Sequence, residues 1–207
     1  MEKAAKSCYN KKLYLTSPFF REGVFIMEKN KEFLNLILNR RSCRSFRPEP
    51  VPSSALAAVV EAGRFAPSAM NLQLNRFYII TDPQILAEIT RVVSENMRSF
   101  AGKDCRYGAP ALILVTNKKT HPCALQDASC AMENMMLAAS ALGLGSCWTN
   151  QPFHLREKPA MVELLTSIGM GEDEFPCAAL SLGLPDGELP SGRLERTGNA
   201  VVWVGEK

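Results

Sequence analysis

Apolar positions along the chain fall into runs with a helical rhythm and runs with a strand rhythm. Residues 30–39 place Phe33, Leu34, Ile37 and Leu38 at helical spacing and predict an amphipathic helix. A second helix is expected to start near Ser53 or Ser54, where a hydroxyl can cap free backbone amides. It buries Leu56, Val59 and Val60 and stops before Pro67. The β-branched and aromatic run Arg76 to Thr81 predicts a strand. Asp82 and Pro83 then supply a cap and a first helical residue for a helix carrying Ile85, Leu86, Ile89, Val92, Val93 and Met97. Ala111 to Thr116 is apolar throughout and reads as a central strand.

The longest predicted helix runs over 123–142. Its apolar positions, Ala128, Met132, Met135, Met136 and Ala139 among them, cover more than one face, so it is expected to be buried on several sides. Gly143 is placed to end it in a left-handed cap. A further helix over about 159–168 starts at Pro159 and ends before Gly169. Cys177 to Leu182 and Val201 to Val204 read as the last two strands. Helices and strands mix without a regular βαβ rhythm, which predicts an α+β domain rather than a doubly wound sheet.

Composition narrows the function classes. The chain has 207 residues, enough for one domain with a real core. Its net charge of +3 gives little footing for nucleic acid. No apolar run reaches the roughly 18 residues of a membrane helix. The seven cysteines are irregularly spaced, without a CxxC pair, and fit reduced thiols in a cytoplasmic protein. With two histidines in the chain, no metal site is expected. Residues 1–26 lack the continuous apolar stretch of a signal peptide and read as a loosely ordered extension; Met27 is an alternative start, and 27–207 is expected to form a single domain.

Two islands carry candidate chemistry. Arg40, Arg41, Arg44 and Arg47 fall close together with Ser42 and Ser45 between them and no acid. Forked guanidinium donors with hydroxyls between them suit a phosphate; the competing reading is a solvated basic surface at a helix end. The second island, Ala66-Pro67-Ser68-Ala69-Met70-Asn71-Leu72-Gln73, joins a helix to a strand. Its amides suit the edge of a planar heterocycle, and its composition equally suits an ordinary turn. Farther on, Leu142-Gly143-Leu144-Gly145-Ser146-Cys147-Trp148 is glycine-rich without making a dinucleotide fingerprint. Cys147 has no evident base and reads as a buried thiol; His121 and His154 read as loop residues.

The order of these islands is more specific than any one of them. Arg-Arg-Ser-x-Arg-x-Phe at 40–46, Ala-Pro-Ser-x-x-Asn-x-Gln at 66–73, Tyr107-Gly108-Ala109-Pro110 before a strand, and a long Ala/Met helix ending in Leu-Gly-Leu-Gly-Ser-Cys-Trp together resemble the nitroreductase family of FMN-dependent oxidoreductases. The resemblance covers about residues 28–204 and extends to Leu182-Gly183-Leu184-Pro185. The chain departs from the family in having Leu74-Asn75 where Pro-Trp often follows.

The resemblance implies a mixed, mostly antiparallel central sheet flanked by helices, a long buried central helix and a C-terminal segment exchanged within a homodimer. It implies that Arg40, Arg41 and Ser42 hold the FMN phosphate and ribityl chain and that Arg44 approaches the pyrimidine end of the ring. Pro67, Ser68 and Asn71 would reach the same flavin from the other subunit. Trp148 and Thr149 would pass near its reactive edge, and Arg193 and Arg196 are candidates for a C-terminal contact with the phosphate. The implied activity is transfer of hydride from NADH or NADPH through the flavin to a flat acceptor such as a nitroaromatic or a quinone, by a ping-pong mechanism that demands no catalytic acid or base. Three other reactions of the same scaffold stay open: reductive dehalogenation, flavin fragmentation and azoline oxidation. So does a flavin-binding sensor or storage protein without turnover.

Overall fold

The computed structural model describes residues 28–189 and 196–205. The expected extension over 1–26 lies outside them. The chain divides into two compact units between Leu38 and Asn39, each described by itself. In the first, the described residues form a single helix, α1 (Glu28–Asn39), where the spacing of Phe33, Leu34, Ile37 and Leu38 places it.

The second unit is a layered α+β structure. Its helices are α2 (Ser53–Arg64), α3 (Pro83–Asn96), α4 (Ala124–Ala141), the short α5 (Gln151–His154) and α6 (Pro159–Ser167). Its strands are β1 (Arg76–Ile80), β2 (Ala111–Lys118), β3 (Gly145–Thr149) and β4 (Glu174–Gly183). The strands form one sheet in the order β1-β2-β4-β3, with every neighbouring pair antiparallel. The parallel element is a lone bridge between Ser42 and Ser146.

β2 and β4 are central, and both of their faces are covered, which explains their unbroken apolar sequence. One set of alternate residues, Ala111, Ile113, Val115, Ala178, Leu180 and Leu182, packs with Val59 of α2 and with Ala128, Met132, Met135 and Ala139 of α4. The other set, Leu112, Leu114 and Ala179, packs with Ile89 and Val93 of α3 and Met161 and Leu165 of α6. α4 is 18 residues long, about 27 Å at helical rise; it buries a wide apolar face against the sheet and α2, while Leu125, Ser129, Cys130 and Glu133 on its other side are exposed.

Local signals end the helices as anticipated, with one exception. Asp82 caps α3, its carboxylate accepting from the Gln84 and Ile85 amides at 2.7 and 3.3 Å. Gly143, with φ of 72°, closes α4: its N–H donates to Ser140, and Leu144 N–H reaches back to Ala139. The exception is α2. Ser53 is already inside its first turn, Pro52 takes the cap position, and no side chain caps the helix.

One strand is present that the sequence did not announce, and one expected strand is missing. The glycine-rich stretch after α4 contains β3, drawn into the sheet by pairing with the far end of β4. Val201–Val204 forms no strand, because no described strand of the chain pairs with it, and its side chains are exposed, Val204 by 95%.

One buried carboxylate fastens the end of the sheet where β1 begins. Glu174, its side chain 1% exposed, accepts from Arg76 Nη1 at 2.8 Å and from the Tyr78 and Thr116 hydroxyls at 3.1 Å each. Burial alone would raise its pKa, but the bonds from Arg76, Thr116 and Tyr78 outweigh it and hold the carboxyl below its ordinary range. Such a group stabilises the fold fully above its unfolded pKa, and that contribution fades as pH falls through the lowered folded value. Glu174→Leu should cost about 2–3 kcal/mol in urea denaturation at pH 7, since it leaves the buried Thr116 hydroxyl without its acceptor and removes the partner of Arg76. The difference from wild type should shrink steadily on acidification below the ordinary carboxylate pKa.

Candidate functional site

The arginine island is built by backbone bonds. Residues 42–47 run as an extended segment clamped between β3 and the turn that follows β4. Cys43 N–H donates to Ser146 at 2.8 Å, Arg47 N–H to Leu184 at 2.9 Å, and Asp186 N–H to Ser45 at 3.0 Å; Phe46 bridges Pro185. Cys43 and Phe46 are buried together with Ala109, while Ser42, Arg44 and Arg47 are exposed. The close fit explains Gly145. A Cβ there would stand 2.7 Å from Cys43 Sγ and 3.2 Å from the Phe46 ring.

This clamp gathers positive charge on one rim. Arg40 pairs with Glu133 of α4 through Nε at 3.5 Å, but its Nη1 is buried and has no hydrogen-bond partner. Arg41 donates through Nη1 to the Arg40 carbonyl at 2.8 Å. Its pKa is lowered, first by burial and then by Arg196 and Arg40, so Arg196 lies within electrostatic reach of it. Arg193 falls outside the described residues. The Arg44 guanidinium lies 6.0 Å from the centre of the Tyr107 ring, a residue turned to φ of 59° in the loop before β2.

β3 carries the other candidates on this side. Trp148 donates through Nε1 to Asn150 Oδ1 at 3.3 Å. Thr149 is buried, its hydroxyl 2.8 Å from that of Ser181 on β4. Cys147 is a buried thiol, as its sequence setting suggests. Burial pushes its pKa up, with Arg44 and Arg40 acting in the opposite sense. Gln151, two residues past Thr149, has a buried side-chain oxygen without a partner, an acceptor that sequence reasoning did not single out.

The amide island is attached elsewhere. Pro67, Ser68 and Asn71 lie between α2 and β1, with a single 3-10 turn at Ala69–Asn71. Ser68 Oγ accepts from Gln73 N–H at 3.0 Å, and Gln73 Nε2 donates to Asn71 Oδ1 at 2.9 Å. Met70 at its tip is 85% exposed, and the neighbouring Phe65 and Leu72 are exposed as well. The structure thus joins Arg40, Arg41, Ser42 and Arg44 with the β3 residues on one edge strand, while Pro67, Ser68 and Asn71 lead into β1, the opposite edge strand. Strand spacing alone puts about 14 Å between those edges.

His121 is a loop residue, as expected, but a buried one. Its Nε2 is 2.9 Å from Asp127 Oδ2, and Asp127 Oδ1 accepts from Ala69 N–H at 2.9 Å. A histidine six residues before an acid has no sequence signature of its own; the missing signal is that the acid opens a helix packed beside another loop. His154, expected in a loop, is instead the exposed last residue of the short helix α5. Among the described residues, no helix is long and apolar enough to cross a membrane.

Fold and rim together define an α+β domain with a cationic, partly unsatisfied donor set at one sheet edge. Residues 37–184, well over half of the chain, match the Nitroreductase family, and the chain belongs to it. A crystal structure of a Bacteroides fragilis nitroreductase with bound FMN is 30% identical, superposes with a TM-score of 0.76, and is matched over 83% of this chain and 98% of its own. A protein of Archaeoglobus fulgidus provisionally named NADH dehydrogenase/NAD(P)H nitroreductase is 29% identical over 76% of this chain and 88% of its own. An iodotyrosine deiodinase of Thermotoga neapolitana is 26% identical over 70% of this chain and 92% of its own.

The clamp makes the glycine at 145 testable. Gly145→Ala should lower stability by about 1–3 kcal/mol in chemical denaturation, the usual cost of overpacking a close contact.

Proposed function

We propose that the chain is an FMN-dependent oxidoreductase that uses NADH or NADPH to reduce a flat acceptor, a nitroaromatic or a quinone, and that it works as a homodimer with FMN at the subunit interface. The observation that carries this reading is the buried Arg40 Nη1, a cationic donor without a protein acceptor on a rim of further arginines. Leaving such a group unpaired is costly, and a phosphate oxygen would satisfy it. The FMN bound by the Bacteroides fragilis relative supports the choice of ligand.

In this reading FMN, when bound, supplies the two-electron chemistry, accepting from the nicotinamide and delivering to the acceptor in turn. Arg40, Arg41 and Ser42 hold its phosphate and ribityl chain, with Arg196 and Arg193 adding charge from the C-terminal segment. Arg44, kept near Tyr107 by its ring face, places a positive charge at the pyrimidine end, where it favours the reduced, more negative cofactor. Trp148 and Thr149 line the reactive edge from β3. Their indole N–H and hydroxyl are committed to Asn150 and Ser181, which fixes them as walls rather than proton donors. Pro67, Ser68 and Asn71 complete the site from a second subunit. Their attachment to the opposite sheet edge supports that division of labour. The exposed, unpaired Val201–Val204 fits the segment exchanged between subunits. Residues 27–207 would act as one cofactor-binding domain in the cytoplasm.

A second reading, reductive dehalogenation, is supported by the likeness to an iodotyrosine deiodinase. It uses the same residues around the same cofactor and differs in the acceptor.

The purified protein should be yellow, with one FMN per chain, and should bleach anaerobically on addition of NADH or NADPH. A colourless protein that ignores added FMN would refute the assignment. Steady-state oxidation of the nicotinamide with nitroaromatic, quinone and halotyrosine acceptors separates the two readings. Arg44→Ala should lower the midpoint potential of the bound flavin; losing one favourable bond to a charged group, about 1.5–3 kcal/mol, should also weaken retention tenfold or more. Potentiometric titration and fluorescence-detected FMN binding check the two effects.

A further inference from the structure

Loop 67–73 is bent in an unusual way. Met70, Asn71 and Gln73 have φ of 52°, 56° and 53°, in the left-handed region that costs an ordinary L-residue roughly 1–2 kcal/mol. A backbone of this kind keeps its shape only where surrounding bonds overdetermine it. The bonds from Gln73 to Ser68 and Asn71 are exposed and compete with water. The bond from Ala69 N–H to Asp127 Oδ1, at 2.9 Å, instead runs from the loop into the core.

Asp127 sits in the first turn of α4 and is buried. An acid in that position ordinarily serves the free amides of its own helix. Here both oxygens are committed elsewhere: Oδ1 to the Ala69 amide, and Oδ2 to His121 Nε2 at 2.9 Å. The carboxylate can only accept, so Nε2 is the donor in this bond. His121 is buried in the connection between β2 and α4. Its own backbone is fixed on both sides, its N–H donating to Lys118 and its carbonyl accepting from Ala124.

We propose that His121 and Asp127 are positioning residues for the flavin: His121 orients the Asp127 carboxylate, and the carboxylate fixes the Ala69 amide, so that Ser68 and Asn71 keep the geometry in which they meet the cofactor. The inference rests on the reading that this loop contacts FMN. Neither residue touches the cofactor. Both act through one backbone amide, and a bond from an amide to a charged acceptor is among the stronger ones available for the task. The pair also joins the start of α4 to the loop that enters β1, so the loop is positioned by the core of the domain rather than by its own exposed turns.

The test uses the full chain. FMN is titrated into the apoprotein of wild type, Asp127→Ala, His121→Leu and His121→Gln, following affinity and the visible circular dichroism of the bound flavin. Asp127→Ala and His121→Leu should each weaken binding about tenfold and change the dichroism. His121→Gln, whose side-chain amide can still donate, should return most of both. Wild-type affinity and dichroism in folded Asp127→Ala and His121→Leu would overturn the proposal while leaving the flavin reading intact. A wild-type protein that binds no FMN would overturn the reading and this role together. Should the variants fail to fold, hydrogen exchange of the wild-type Ala69 amide decides. It should be at least about a hundredfold slower than an unstructured amide, and unprotected exchange would refute the anchoring.

Discussion

The segment 42–47 is attached to the sheet by main-chain bonds, from Cys43 to Ser146, from Arg47 to Leu184 and from Asp186 to Ser45. Everything at the cationic rim depends on that attachment. Backbone bonds carry no net charge, so the segment is held down without an acid paired to each arginine. Glu133, facing Arg40, is the acid this rim meets from α4. Apolar anchors do the remaining work. Cys43 and Phe46 are buried while Ser42, Arg44, Ser45 and Arg47 are exposed, so two side chains three residues apart hold the segment down and the charged ones between and beyond them face outward.

Much of this was legible in the residues. The two faces of β2 and β4 follow from unbroken apolar runs, and α4 from an apolar surface wider than one stripe. The Asp82-Pro83 start and the Gly143 stop are local chemistry, and they held because a helix end must satisfy its own amides and carbonyls whatever surrounds it. What could not be read was pairing over long separations. β3 is five residues long and glycine-led, and it becomes a strand because Gly183 and Leu182 lie across from Gly145 and Ser146. Val201–Val204 has a stronger strand composition and forms none, since composition supplies propensity but not a neighbour.

The site divides along the same line. Arg40, Arg41, Ser42 and Arg44 could be singled out because like charges clustered in sequence are visible without a fold. His121 and Asp127 could not, because their importance comes from a contact between the first turn of α4 and a loop 58 residues earlier. Gln151 stayed hidden for a similar reason: a buried acceptor without a donor is a property of packing, and a glutamine after an asparagine announces nothing.

The strand order has a bearing on how the molecule is made. β4 lies between β2 and β3, yet it is the last of the described strands in sequence. During synthesis β1 and β2 can pair around α3, but β3 finds only the bridge from Ser42 and Cys43 and must wait for residues 174–183 for its strand partner. Until then the apolar flank of β2 stays open. Because domains emerge N-terminal end first and unpaired edges invite aggregation, the nascent chain is most exposed to chaperones in the interval before Gly183 appears.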